Sequence, residues 1–284
     1  MNLKEITIRD PFILRNDEDR SYYLYGTCDG WRGLGFYCYV SKDLVDFKGP
    51  FKVFDPDKDF WGTKDYWAPE VYHIGDRYYM LASFKSDDRP RASQMLIASS
   101  PLGPFSPYGE ILTPEDYESL DATLCFKDDG HPYIIYSHEW LQTQIGEICE
   151  RDIADDFSKP IGESRLLFKG NEAPWACSKL HFSEEPAVIT DGPFIYRRGS
   201  NKVLLWSTYV GWNDYGIGYA IQKNGKWEQS EESLPVVDGG HGMVFTSFEG
   251  ADYLILHVNN KHSGHERAKL FEIGFDDNGG LFIK

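Results

Sequence analysis

Cysteine is scarce in this 284-residue chain: Cys28, Cys38, Cys125, Cys149 and Cys177 are the full set. The number is odd and no CxxC pair occurs, so neither a disulfide framework nor a cysteine zinc site is expected. Cys38, Cys125 and Cys149 sit inside apolar runs and read as small core residues. Basic charge is also short, with 29 Lys and Arg against 45 Asp and Glu, a net charge of -16. Such a chain repels phosphate backbones, so nucleic acid is not an expected partner, and an anionic substrate is disfavoured. No apolar run reaches about 18 residues, so neither a membrane span nor a membrane partner is expected. The opening MNLKEITIRDPF has no apolar signal core and enters a strand pattern at once. A cytoplasmic location is the expectation, although a secreted protein trimmed of its leader would read the same. Long amphipathic helical periods are missing too, which leaves strands to build the fold.

Aromatic residues are plentiful: 18 Tyr, 18 Phe and 8 Trp make up 15% of the chain. Most of them suit the core of a β-rich fold. A few are expected to offer flat faces to the C–H surface of sugar rings. Trp31, Trp67, Trp140 and Trp212 fall in loops or at strand entries and are the candidates; Trp206, inside VLLWS, reads as core.

Five segments repeat one pattern. Each opens with a short apolar strand behind a polar or Pro/Gly entry, then a Gly/Asp/Asn turn, an aromatic strand and a third strand. The openings are DPFIL, APEVY, DATLCF, DGPFIY and HGMVF. The turns GDR, DDG, GSN and EGA are hairpin chemistry. Units recur every 50 to 70 residues, roughly one four-stranded blade with its loops. The expected fold is all-β, a single five-bladed β-propeller domain spanning residues 1–284; a β-sandwich with similar hairpins is the competing architecture.

The first strand of a blade lines the central channel, so equivalent positions converge on the axis. Aligned by their openings, the units place Asp10, Asp121, Asp191 and His241 at one point of four blades. The second blade has Ala68 there, with Glu70 two residues on and expected to point to the same side. One Asp before Pro or Gly is ordinary turn chemistry. Three carboxylates gathered at one place cost repulsion and desolvation, and function or a bound cation is what normally justifies that.

RDPFIL, YWAPEVY, SLDATLCF, TDGPFIYR and GGHGMVF, in that order along nearly the whole chain, resemble glycoside hydrolase family 43. The resemblance implies a five-bladed propeller that cleaves arabinofuranosides, xylosides or related galactosides with inversion at the anomeric carbon. It further implies Asp10 as general base, Asp121 as the residue that orients the acid and tunes its pKa, and Asp191 in the general-acid place. The sequence departs from the commonest pattern here, which has Glu before Gly-Pro. Asp is one methylene shorter, so Glu139, Glu184 and Glu185 stand as alternative donors, with Glu184 and Glu185 reading as a solvated loop. Glu139 and Trp140 in the aromatic SHEWLQ stretch, with Trp67 and Glu70, are expected to touch substrate. His241 has two readings, a ligand or water-mediated contact of a central metal such as calcium, or a substrate and structural residue. No cofactor is otherwise required. Arg267 is read either as a fork on sugar hydroxyls or as a surface partner of Glu266; His257 and Asn259 are further candidates to face the pocket.

A carbohydrate is therefore the expected partner. An exo-acting α-L-arabinofuranosidase heads the expected activities, with β-xylosidase or galactofuranosidase specificity beside it. A non-catalytic sugar-binding propeller is the alternative. A relative of families 32, 62 or 68 would share the fold, but their Asn-Asp-Pro-Asn motif is missing.

Overall fold

The computed structural model describes residues 1–28, 33–199 and 201–284. Trp31 and the middle of the GSN turn, residue 200, lie outside them. Five four-stranded antiparallel sheets form a ring, a five-bladed β-propeller. Blade 1 holds β1 (Arg9–Asn16), β2 (Ser21–Thr27), β3 (Phe36–Ser41) and β4 (Phe47–Phe54). Blade 2 holds β5 (Lys64–Ile74), β6 (Arg77–Lys85), β7 (Ala92–Ala98) and β8 (Ser106–Ile111). Blade 3 holds β9 (Ser119–Phe126), β10 (Pro132–His138), β11 (Glu147–Ile153) and β12 (Pro160–Lys169). Blade 4 holds β13 (Asp191–Arg198), β14 (Asn201–Gly211), β15 (Asp214–Lys223) and β16 (Lys226–Gln229). Blade 5 holds β17 (Gly239–Thr246), β18 (Asp252–Val258), β19 (Arg267–Phe275) and β20 (Leu281–Ile283). The one α-helix among the described residues is a single turn, α1 (Trp140–Thr143).

Local chemistry explains the blades. Gly75, Gly130 and Gly250 take φ of 63°, 88° and 87° in the tight turns, a region that only glycine enters at little cost. Second strands such as SYYLYGT in β2 are buried along their whole length, so they read as continuous apolar runs. The aromatic excess goes mainly between blades. Phe36, Phe54, Phe60, Tyr66 and Phe84 pack within 4.9–6.2 Å of one another between blades 1 and 2. Trp206 is fully buried, as expected for a core residue. Cys38, Cys125 and Cys149 are buried free thiols. The ring closes where the segment ahead of β1 meets blade 5: Thr7 bridges Arg267, and the Ile8 amide donates to the Glu266 carbonyl at 3.2 Å.

A repeated backbone device sits at the start of the inner strands. Asp10, Ala68, Asp121 and His241 all take left-handed φ, between 47° and 57°. That conformation costs an L-residue about 1–2 kcal/mol, so something must hold it. In each case the residue's own amide is bound by the second strand of the preceding blade. Ala68 donates to Thr27 Oγ1 at 2.8 Å, Asp121 to Ser83 Oγ at 2.8 Å, and His241 to Ser207 Oγ at 2.7 Å. Across the ring closure, Asp10 donates to His257 Nδ1 at 3.2 Å.

Candidate active site

Blade 4 breaks this pattern and corrects the alignment drawn from sequence. Its left-handed residue is Gly192, with φ 50°, not Asp191. In the ladders Asp191 pairs with Ser207 as Arg9 pairs with Thr27, so Asp191 is the counterpart of Arg9. Asp10, Ala68, Asp121, Gly192 and His241 are the true equivalents. The cause is steric: a Cβ on Gly192 would lie 2.8 Å from the His241 ring. The acid is therefore moved one residue toward the mouth. The Gly192 amide also takes a different partner, donating to Asp121 Oδ2 at 3.0 Å. Ser137, which occupies the place of Thr27, Ser83 and Ser207 in blade 3, is left buried with its hydroxyl unbonded.

Both kinds of position open into one cavity of about 250 Å³ at the end of the axis, where Asp10, Asp121, Asp191 and His241 meet Trp67, Glu139 and Trp140. A wider open hollow of about 920 Å³ lies near the N-terminus, where Glu5 is the sole carboxylate among the described lining residues. The acidic cavity is the one with chemistry in it.

The three aspartates are held in different charge states. Burial pushes the Asp10 carboxyl up, but His241, Arg9 and the Thr27 hydroxyl outweigh it, and its pKa falls below 3.8. Thr27 Oγ1 donates to Asp10 Oδ2 at 2.6 Å, and His241 Nδ1 lies 3.2 Å from Oδ1. His257 Nδ1 accepts the Asp10 amide, while its Nε2 faces Asn260 Oδ1 at 3.2 Å. It is thus a neutral Nε2–H tautomer, in keeping with a pKa that burial and Arg9 lower to about 3. Burial and the neighbouring Asp10 push Asp121 up to about 8. Burial and then Asp121 push Asp191 up to about 7. The last two raise each other and titrate as a pair that keeps one proton. Each accepts one hydrogen bond that favours its charge, Asp121 from the Gly192 amide and Asp191 from the Tyr215 hydroxyl, so the proton is shared between the two.

Several functional neighbours carried no sequence signal. Tyr215 donates to Asp191 Oδ2 at 3.0 Å. Arg9 lines the cavity, anchored at 3.0 Å by the fully buried Glu266. Arg91 packs its guanidinium 4.0 Å from the Trp67 ring and pairs with Glu139 at 2.5 Å and Asp65 at 2.8 Å. It therefore fixes both the aromatic wall and the Glu139 carboxylate.

Some expected contacts are not in the cavity. Arg267 donates to the Lys4 carbonyl at 2.9 Å, to Thr7 Oγ1 at 2.9 Å and to the Glu266 carbonyl at 2.8 Å. It seals the ring closure, and the Glu266 carboxylate it was expected to meet is taken by Arg9. Glu70 follows Ala68 on the strand but two residues deeper, about 6.6 Å along the axis. It is buried beneath the cavity, where Tyr72 and Thr123 meet it, and it is not part of the cavity wall. Glu184 and Glu185 are exposed on the 173–190 loop. His257 is buried behind Asp10, and the Asn259 amide donates to the His265 carbonyl at 3.2 Å. As to a central cation, calcium takes six to eight oxygen ligands. Among the described residues no group of three or more His, Cys, Asp or Glu side chains could hold a metal. His241 Nδ1 faces the Asp10 and Asp121 carboxylates, at 3.2 Å and 3.6 Å.

A search of curated protein sequences finds no match. Among solved structures, the chain is similar to the endo-arabinase from Bacteroides thetaiotaomicron VPI-5482, at 34% identity over 98% of each chain and a TM-score of 0.91. It is also similar to a thermostable family-43 glycoside hydrolase, at 25% identity over 98% of this chain and 93% of that one, TM-score 0.82. An endo-1,4-beta-xylanase from the same Bacteroides strain shares the fold, at 23% identity, 98% and 94% coverage and a TM-score of 0.80. The profile of glycosyl hydrolases family 43 matches residues 4–279. The chain belongs to glycoside hydrolase family 43, a family of glycan-cleaving five-bladed propellers.

Proposed function

We propose that this protein hydrolyses α-L-arabinofuranosyl linkages with inversion, Asp10 acting as general base and Asp191 as general acid. The observation that carries the proposal is the split in charge state within one cavity: Asp10 is held ionised while Asp191 is held near 7 beside Asp121. Pairs of carboxyls driven apart in this way divide into base and acid. Arabinose as the sugar is supported by the 34% identity to an endo-arabinase.

In the proposed reaction, Asp10 takes a proton from water as its oxygen bonds to the anomeric carbon. The glycosidic C–O bond breaks on the opposite face, and Asp191 gives its proton to the leaving oxygen. One water is consumed, the new hydroxyl is inverted, and solvent exchange returns each carboxyl to its starting state. An inverting pair stands about 6.5–9.5 Å apart to admit that water. The charge of Asp121 raises the Asp191 pKa, and through the Gly192 amide Asp121 fixes the backbone next to the acid. Glu139 is the weaker donor: although burial raises its pKa, its carboxylate is committed to Arg91 at 2.5 Å. Trp67 and Trp140 form the wall on which a sugar ring would stack.

The test is turnover of aryl α-L-arabinofuranoside, β-xyloside and β-galactofuranoside by wild type and Asp10→Asn. The arabinofuranoside is expected to react, with a loss on the order of 10²–10⁴-fold in the variant. Turnover of another sugar alone would replace the arabinose assignment. Near-normal activity of Asp10→Asn would remove Asp10 as the base.

A further inference from the structure

The cavity does not end at the catalytic acid. Tyr215, which holds Asp191, meets the Tyr209 ring edge-on at 5.6 Å. Tyr209 in turn touches Phe182 at 5.5 Å and His181 at 5.9 Å. His181 reaches Trp212 at 5.7 Å, and Phe182 reaches Trp140 at 5.7 Å. The rings thus run without a break from the acid and the cavity wall out to the surface.

This surface is built, not incidental. The Cys177 amide donates to the Tyr209 carbonyl at 2.7 Å, and the His181 amide to the Trp212 carbonyl at 3.0 Å. The 173–190 loop is thereby stitched along the β14–β15 hairpin, with Leu180, Ala187 and Ile189 packed beneath it. Yet Trp212 is 65% exposed and Phe182 45%. Scattered apolar side chains on a surface need no explanation, but a contiguous aromatic strip that continues a site marks a binding surface.

Its position gives its direction. The acid protonates the leaving oxygen, so the leaving part of the substrate lies on the acid's side, and the strip begins at the acid's own hydrogen-bond partner. We infer that Tyr209, Phe182, His181 and Trp212 form a binding platform for the leaving chain of the substrate, beyond the cleaved bond. Its occupant is further sugar units of the same glycan, stacked by their C–H faces. The three ring-to-ring steps from Tyr215 to Trp212, each close to 6 Å, leave room for more than one unit. Together with the -16 charge this fits a neutral glycan better than an anionic one. The inference rests on the proposed hydrolysis for its direction, while the platform itself can be tested by binding.

Two measurements separate the ideas. The first is kcat/KM on arabino-oligosaccharides of two to six units and on an aryl arabinofuranoside, for wild type, Trp212→Ala and Trp212→Tyr. The wild-type value is expected to rise with the length of the leaving chain. In Trp212→Ala the ratio of hexaose to aryl-glycoside kcat/KM should fall roughly five- to tenfold, the worth of one aromatic contact. Trp212→Tyr should recover most of it. An unchanged ratio would overturn the platform. The second is titration of Asp10→Asn with arabinohexaose, xylohexaose and β-1,3-galacto-oligosaccharide, followed by tryptophan fluorescence, with and without Trp212→Ala. If no arabinoside is turned over, the proposed function has failed, and the platform then stands or falls on this titration. Tight binding of one glycan that weakens with Trp212→Ala supports it, and binding of none overturns it.

Discussion

Replacing Glu70 by Gln should make the protein more stable at neutral pH, and increasingly so as pH rises. Glu70 is buried beneath the catalytic cavity, where Tyr72 and Thr123 meet its carboxyl and, among the described residues, no cation pairs with it. Burial pushes its pKa from 4.5 to about 8. A carboxyl with a raised folded-state pKa contributes its stability fully below the unfolded value and loses it as pH climbs to the folded value. The window here is therefore about 4.5 to 8. At 1.36 kcal/mol per pH unit, the gap of 8 − 4.5 is worth roughly 5 kcal/mol, of which about 3 kcal/mol is lost by pH 7. Gln fills the same space, keeps hydrogen-bonding atoms for Tyr72 and Thr123, and cannot ionise. The stability difference between variant and wild type should then widen by about 3 kcal/mol between pH 4.5 and 7, a Tm difference on the order of 5–10 °C. Asp121 and Asp191 titrate in both proteins, and the charge of Asp121 adds to the raised pKa of Glu70. Urea unfolding followed by tryptophan fluorescence at the two pH values measures it. A difference that stays constant between pH 4.5 and 7 would refute the buried, unpaired state of Glu70.

Three further outcomes follow from the site. The kcat/KM profile should rise at low pH as Asp10 ionises and fall as the Asp121–Asp191 pair loses its proton near 7 to 8; a profile still rising at pH 8 would contradict the assignment of acid and base. Tyr215→Phe removes a hydrogen bond that favours ionised Asp191, so the alkaline limb should move to higher pH, and a move to lower pH would reverse the role given to Tyr215. Gly192→Ala places a methyl 2.8 Å from the His241 ring at φ 50°. It should lose about 1–3 kcal/mol of stability and most activity, and a fully active, fully stable variant would show that the offset in blade 4 is not needed.

Much of the architecture was legible because each blade declares itself locally. Gly75, Gly130 and Gly250 mark turns by a conformation that other residues avoid, and the five openings share one register of polar entry and apolar strand. The acid's exact place was misread. Reading DGPF like DPFI by its first letter puts Asp191 level with Asp10, whereas matching the Pro-Phe pairs of DPF and GPF sets Gly192 level with Asp10. Glu70 was misplaced for a related reason: strand alternation gives the side it faces but not its depth below the cavity floor. Arg267 was misread because its partners, Lys4 and Thr7, are some 260 residues away in sequence. Arg9 and Arg91 reach Glu266 and Glu139 only when neighbouring blades meet, and Tyr215 reaches Asp191 only when blade 4 folds, so a single chain read in order shows no motif for them.

The central claim is the division of labour between Asp10 and Asp191. It is tested most directly by comparing Asp191→Ala on a dinitrophenyl arabinofuranoside, whose leaving group needs no proton, with the same variant on arabinotriose, with Asp10→Asn measured on both. Asp191→Ala should keep activity on the dinitrophenyl substrate within about tenfold of wild type and lose on the order of 10²–10⁴-fold on the trisaccharide, while Asp10→Asn fails on both. Equal losses for Asp191→Ala on the two substrates would contradict Asp191 as the proton donor and pass that role to Glu139.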